Sequence, residues 1–344
     1  RYNCQIMINR NIKAYAMKKL INIFRNIGVL ISFGSVLQAQ DYATSLKTPA
    51  VYTQYHINPI LINPAYTGFE GQSQILFNFR NHWAGFDGSP KGLTLGINGS
   101  PVNNMGLGSI IYSEKFGVAN RFSGQLNYAY NFKTGPDTKM SLGLSGSYIR
   151  YSLDNSAFTD PNHNQGDPVI NKAIDGENYF AADLGYWAEF ANKYRLGITL
   201  PHVVLANLGN TASDSTKPFN LIAFLGARWN VPSYRLVLEP SVCVRKISDV
   251  PFGTDLNVLA KLLEDRLFLG FTYSFGPSDN RTSFLGGVRV NQFKFIYSYD
   301  QTYQTFQTFS RGSHELTLSF DLGRSSKKME DTKNMMEEKS MDQK

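Results

Sequence analysis

From residue 74 onward, apolar and polar residues alternate at period two, and almost no stretch repeats at the 3.6-residue period of a helix. Phe122, Gly124, Leu126, Tyr128, Tyr130 and Phe132 share one face of an extended segment, with Ser123, Gln125, Asn127, Ala129 and Asn131 on the other. Leu267, Leu269, Phe271, Tyr273 and Phe275 repeat the pattern, as do Leu316, Leu318, Phe320 and Leu322. Bounding such segments by their turn residues predicts fourteen strands, near 74–82, 91–99, 105–113, 117–132, 138–153, 177–190, 194–202, 219–231, 234–246, 253–263, 266–276, 281–291, 292–301 and 311–322.

The connections alternate in length. One series is short throughout: 99–105, 133–137, 191–193, 232–233, 264–265 and 291–292. The other contains 82–90, 154–176, 201–218, 247–252, 276–280 and 301–310, and only 114–116 is brief. Such asymmetry belongs to an all-β fold of one kind, a transmembrane antiparallel β-barrel with short periplasmic turns and longer outer loops. Lipid offers no hydrogen-bond partners, so a sheet crosses a bilayer only when it has no free edge. A soluble β-sandwich would alternate too, but its loops need no such end-to-end difference. On the barrel reading, Trp83, Trp187 and Trp229 fall near strand ends, where aromatic girdles sit at the bilayer interface.

Composition fits an apolar outside around a polar inside: 42% of the 344 residues are hydrophobic, 18% are charged, and the mean hydropathy is −0.26. The net charge of +7 would suggest an anionic partner such as nucleic acid. Residues 1–39, however, hold six basic residues and no acidic one, and without them the balance is +1. That stretch has a secretory pattern over about 17–39: Lys18, Lys19 and Arg25 precede an apolar core at 27–37, and Leu37-Gln38-Ala39 is a cleavage site. Residues 1–16 read as translated upstream sequence, and the mature protein is expected to begin near Gln40. Residues 40–73 then form a periplasmic lead-in or plug, 74–323 the barrel, and 324–344 a charged, disordered periplasmic tail, so that both termini are expected in the periplasm. Cys243 is alone in the exported part and reads as a small apolar filler.

No catalytic, cofactor-binding or metal-binding residue is assigned. The five histidines are scattered, and no GxSxG elbow, P-loop or dinucleotide fingerprint is present. Asp160, His163, Asp167 and Asp175 share a loop but meet no cation-binding spacing. Gly106, Gly108, Gly143 and Gly146 read as strand positions where backbones or large rings pack closely.

The segment 54–68, Gln-Tyr-His-Ile-Asn-Pro-Ile-Leu-Ile-Asn-Pro-Ala-Tyr-Thr-Gly, resembles the opening signature of the PorP/SprF family of Bacteroidetes outer-membrane proteins. The similarity continues through Arg80-Asn81-His82-Trp83-Ala84-Gly85-Phe86, Gly88-Ser89-Pro90, Gly106-Leu107-Gly108 and Glu114-Lys115-Phe116-Gly117, and returns at 311–320. The signature residues taken from it are Asn58, Pro59, Asn63, Pro64, Ala65, Tyr66, Gly68, Arg80, Trp83, Gly88 and Pro90. The chain departs from the usual pattern at Tyr55-His56-Ile57, where Tyr-Met-Phe is common, and at Thr67, where Ala is common. The resemblance implies a barrel of the type IX secretion system, associated with export and surface attachment of large proteins, including gliding adhesins, that carry a C-terminal sorting domain.

The same segment has a local physical reading. Asn58-Pro59 and Asn63-Pro64 bias each Asn toward extended geometry, so the stretch is neither a helix nor a central strand. Fourteen strands enclose a bore wider than their own side chains fill. Residues 50–73 are therefore expected to fold into the periplasmic mouth or lumen, with Tyr52, Tyr55, Tyr66 and Arg80 supplying packing and hydrogen bonds. The expected function is a non-enzymatic anchor or export accessory in the outer membrane. Its partners would be a secreted surface protein, other secretion components and outer-membrane lipid. Outer loops, with Tyr303, Phe306 and Phe309, offer client contacts. The alternatives are a passive channel or small-molecule transporter, and a barrel-embedded hydrolase, for which only unpaired groups such as His202 and Ser213 are on offer.

Overall fold

The computed structural model describes residues 50, 52–154, 176–209, 219–247, 252–276, 280–303 and 310–322. The leader, the charged tail, most of the loop at 154–176, Ser213, Phe306 and Phe309 lie outside the described residues.

The chain forms β1 (Ser73–Asn81), β2 (Lys91–Val102), β3 (Met105–Phe116), β4 (Ala119–Gly135), β5 (Thr138–Leu153), β6 (Glu177–Phe190) and β7 (Tyr194–Asn207). There follow β8 (Leu221–Ala227), β9 (Trp229–Val231), β10 (Leu236–Lys246), β11 (Gly253–Leu262), β12 (Leu267–Phe275), β13 (Arg281–Val290), β14 (Phe293–Thr302) and β15 (Ser313–Leu322). Each pairs antiparallel with its neighbours, β8 and β9 being two parts of one stave, and β15 returns to pair with β1 from Ser73↔Leu322 to Asn81↔His314. The result is a closed barrel of fourteen staves with no free sheet edge.

Every strand expected from the alternation is present, with one interruption. Positions 219–231 divide at Arg228 because the facing strand β10 carries Pro240, which has no N–H to donate. The β8–β10 ladder stops at Gly226↔Ser241 and resumes as β9–β10 at Trp229↔Leu238. In the gap the Arg228 N–H turns to the Lys193 carbonyl at 2.7 Å, and the guanidinium reaches Glu239 inside the barrel at 2.8 Å.

The two faces separate as the pattern requires. Leu126, Leu225, Phe293 and Phe284 stand out from the wall, with Leu126 70% exposed, while Thr94, Ser141, Asp255, Ser298 and Thr317 are buried within. Trp187 corrects an expectation: it is no girdle residue but faces inward and is fully buried. It stacks on Phe224 at 5.3 Å between ring centroids, and the indole fits because Gly197 beside it has no side chain. Cys243 is also buried, packed in the same cluster.

Candidate functional site in the occupied lumen

Residues ahead of β1 form three single 3-10 turns, Gln54–His56, Pro59–Leu61 and Pro64–Tyr66. Pro59 and Pro64 each open a turn, where a missing N–H is no loss, and Asn63 before Pro64 is extended and accepts the Ala65 N–H at 2.9 Å. The segment touches β2, β5, β6, β11, β14 and β15, which lie on different sides of a closed wall, so it runs inside the barrel.

Near the long-loop end, Thr53 and Gln54 meet a buried ion cluster. Arg80 of β1 donates to Asp300 of β14 at 2.6 Å and is paired with Glu315 of β15. The Thr53 hydroxyl accepts from Arg80 at 2.5 Å and donates to Asp300 at 2.7 Å, while the Thr53 N–H donates to Glu315 at 2.8 Å. The Gln54 amide donates to the Glu315 carbonyl at 2.9 Å and to Ser298 at 3.1 Å, and Asn78 donates to the other Glu315 oxygen at 2.8 Å. Two carboxylates thus share one cation and are completed by neutral donors, the condition under which a buried ion group is tolerated. Beside this cluster the Tyr52 hydroxyl pairs with Thr94 at 3.1 Å, and burial pushes the phenol up to about 12.

Further in, the Tyr55 hydroxyl donates to Asp255 at 3.0 Å and accepts from Asn257 at 2.9 Å, and Asp255 is also paired with Arg245 at 2.8 Å. His56 is buried near Glu239, Arg195 and Asp255, and burial lowers its imidazole to about 4, so it is neutral at neutral pH. Glu239 gathers Arg195 at 3.1 Å, Arg228 at 2.8 Å and Lys261 at 3.0 Å.

Toward the short turns the contact changes character. The Asn63 amide donates to the carbonyls of Tyr186 and Ile198 at 3.0 and 3.2 Å, and the backbone around Ala65 lies directly on Gly143 and Gly185. Thr67 lies as closely on Gly106, its carbonyl accepts from Asn131 at 3.3 Å, and the Phe69 carbonyl is capped by Lys139. A side chain on any of these three glycines would occupy space filled by the segment's backbone. Gly146, grouped with them on sequence, instead faces outward against Phe180.

Of the expected site residues, Asn58, Pro59, Asn63, Pro64, Ala65, Tyr66 and Gly68 lie in this segment, and Arg80 reaches it from the wall. Trp83, Gly88 and Pro90 are apart, in the connection after β1: Trp83 N–H donates to Ser313 at 3.1 Å, the Pro90 carbonyl accepts from His82 at 2.9 Å, and Gly88 accepts from Gly117 at 2.8 Å. Tyr303 is exposed, its hydroxyl 2.9 Å from that of Thr282. His202 lines the lumen, its N–H donating to Asp183 at 2.7 Å. Thr53, Asp255, Asp300, Glu315 and Gly185 are not singled out by the sequence pattern, although Glu315 interrupts a run of small polar residues, Ser313, Thr317 and Ser319, on an inward face. Among the described residues no group of three or more His, Cys, Asp or Glu could hold a metal ion.

The occupied barrel and its opening segment have a counterpart among known families: residues 44–320 match the type IX secretion system membrane protein PorP/SprF. The chain belongs to this family. It is an outer-membrane barrel, and the match takes in the lumen segment together with the wall as far as Phe320. No curated protein matches the chain. Solved structures similar to it include the outer membrane protein Omp33 of Acinetobacter baumannii, at 7% identity over 74% of this chain and 100% of that one, with a TM-score of 0.45. The monoaromatic hydrocarbon channel CymD is 10% identical over 80% and 94%, with a TM-score of 0.47. The Ralstonia pickettii toluene transporter TbuX is 9% identical over 76% and 92%, also with a TM-score of 0.47.

Proposed function

We propose that this PorP/SprF barrel is an accessory for the export or surface anchoring of a specific secreted protein, such as a gliding adhesin, that carries a C-terminal sorting domain. The barrel sits with its short turns in the periplasm and its long loops outside, where the client and other secretion components meet it. The observation that carries this reading is the filled lumen: a bore closed by a segment bonded to opposite walls favours a scaffold over a passive diffusion channel. The outer loops, with Tyr303, Phe306 and Phe309, supply client contacts, because loops on a rigid wall vary without disturbing it.

Deleting the gene and comparing surface proteomes tests the reading. The expected result is the loss of one sorting-domain protein from the cell exterior, restored by complementation. An unchanged exterior together with solute flux through the purified barrel in liposomes would instead identify a channel.

A further inference from the structure

The lumen segment begins and ends at opposite ends of the bore. Thr53 and Gln54 bind Arg80, Asp300 and Glu315, all next to the long-loop ends of their strands. Thr67 and Phe69 lie against Gly106, Asn131 and Lys139, next to the short turns. Gly68 and Gly71, with φ of +64° and +70°, carry the chain from there into β1.

Room to move is distributed as unevenly. Beside Tyr52, Ile60 and Leu61 a small cavity of about 80 Å³, open in part to solvent, lies between the segment and a wall that includes Ile149 and His202. At Ala65 and Thr67 the backbone is already in contact with the wall glycines. The first half is held at Thr53 and Gln54 by hydrogen bonds and charge, which water can replace group by group, with Tyr55 packed against Phe224 further in. The second is held by close packing, and parting it would open voids that water could not fill favourably.

We propose that the segment is a strap that pivots between Ile62 and Asn63. Its long-loop half lifts off the Arg80–Asp300–Glu315 latch toward the long-loop mouth and opens a chamber there, while the half seated on Gly106, Gly143 and Gly185 stays in place and keeps the short-turn side shut. The device goes beyond the export reading and does not depend on it, since it concerns access to the chamber and not what enters it.

The test uses the full-length protein refolded in detergent, in a Cys4→Ala, Cys243→Ala background, with single cysteines at Tyr52→Cys or Thr67→Cys. Each is reacted with a polyethylene-glycol maleimide, with and without Arg80→Gln. The proposal expects Arg80→Gln to speed modification at position 52 by roughly tenfold or more, with no comparable change at position 67. Equal acceleration at both positions would mean the segment leaves as one body, and no acceleration at either would mean the ion cluster is not a latch; both outcomes overturn the proposal. Faster gel migration of unboiled protein verifies the closed barrel. Glu315→Gln, which removes the Arg80 ion pair from the other side, provides the same reading should Arg80→Gln fail to close.

Discussion

At Thr53 and Gln54 the lumen segment is gripped by what the wall adds: one guanidinium, two carboxylates and a row of amides and hydroxyls. Around Ala65 and Thr67 it is gripped by what the wall omits, since Gly106, Gly143 and Gly185 let two backbones touch. The difference teaches that a polar grip is specific but exchangeable with solvent, whereas a steric one is insensitive to charge and salt and intolerant of added volume. Perturbations of each kind should therefore act on one half and spare the other.

The largest effect is expected from Arg80→Gln. It leaves Asp300 and Glu315 buried without their shared cation, a loss of about 3–5 kcal/mol, visible as a lower temperature for loss of the fast-migrating unboiled band. Next is Gly143→Val, whose side chain would meet the Ala65 backbone. Overpacking of about 3 kcal/mol should unseat the segment and expose its short-turn half to protease, and an unchanged digestion pattern would show that the seat yields.

A pH effect follows from His56. Its imidazole is lowered to about 4 in place, against an ordinary value near 6.5 once released. The docked state therefore binds fewer protons, so its stability is complete above about pH 6.5 and declines as pH falls toward 4. Between pH 7 and pH 5 the loss should be about 2 kcal/mol, and His56→Gln should abolish that slope in thermal melts. The smallest effect is expected from Tyr55→Phe, which removes one hydroxyl between Asp255 and Asn257. About 1 kcal/mol of melting stability should go, with segment and barrel otherwise intact.

Much of the wall is legible in the sequence because a strand with lipid on one side and a polar bore on the other must alternate, and a single parity assigns every side chain its face. The interruption at Arg228 is less legible, for its cause lies on the neighbouring strand at Pro240. The lumen segment announces itself through Asn58-Pro59 and Asn63-Pro64, which forbid a strand, and through the width of a fourteen-stave bore. Its partners do not: that Asp300 and Glu315 converge on Arg80 depends on how the sheet closes, and residues more than two hundred positions apart meet only through that closure. Trp187 misleads for a related reason. Its place near a strand end resembles an interfacial aromatic, yet its parity with Gly185 points it inward.

The seam between β1 and β15 has a consequence for how the molecule is built. Arg80 and Asn78 on one side and Glu315 on the other are both the zip and the clasp, because the carboxylate that joins the two strands also takes the Thr53 amide. The chain need not be threaded through a finished tube. A curling ribbon can wrap its own leading cord, and fastening the final edge completes the cylinder and its filling together.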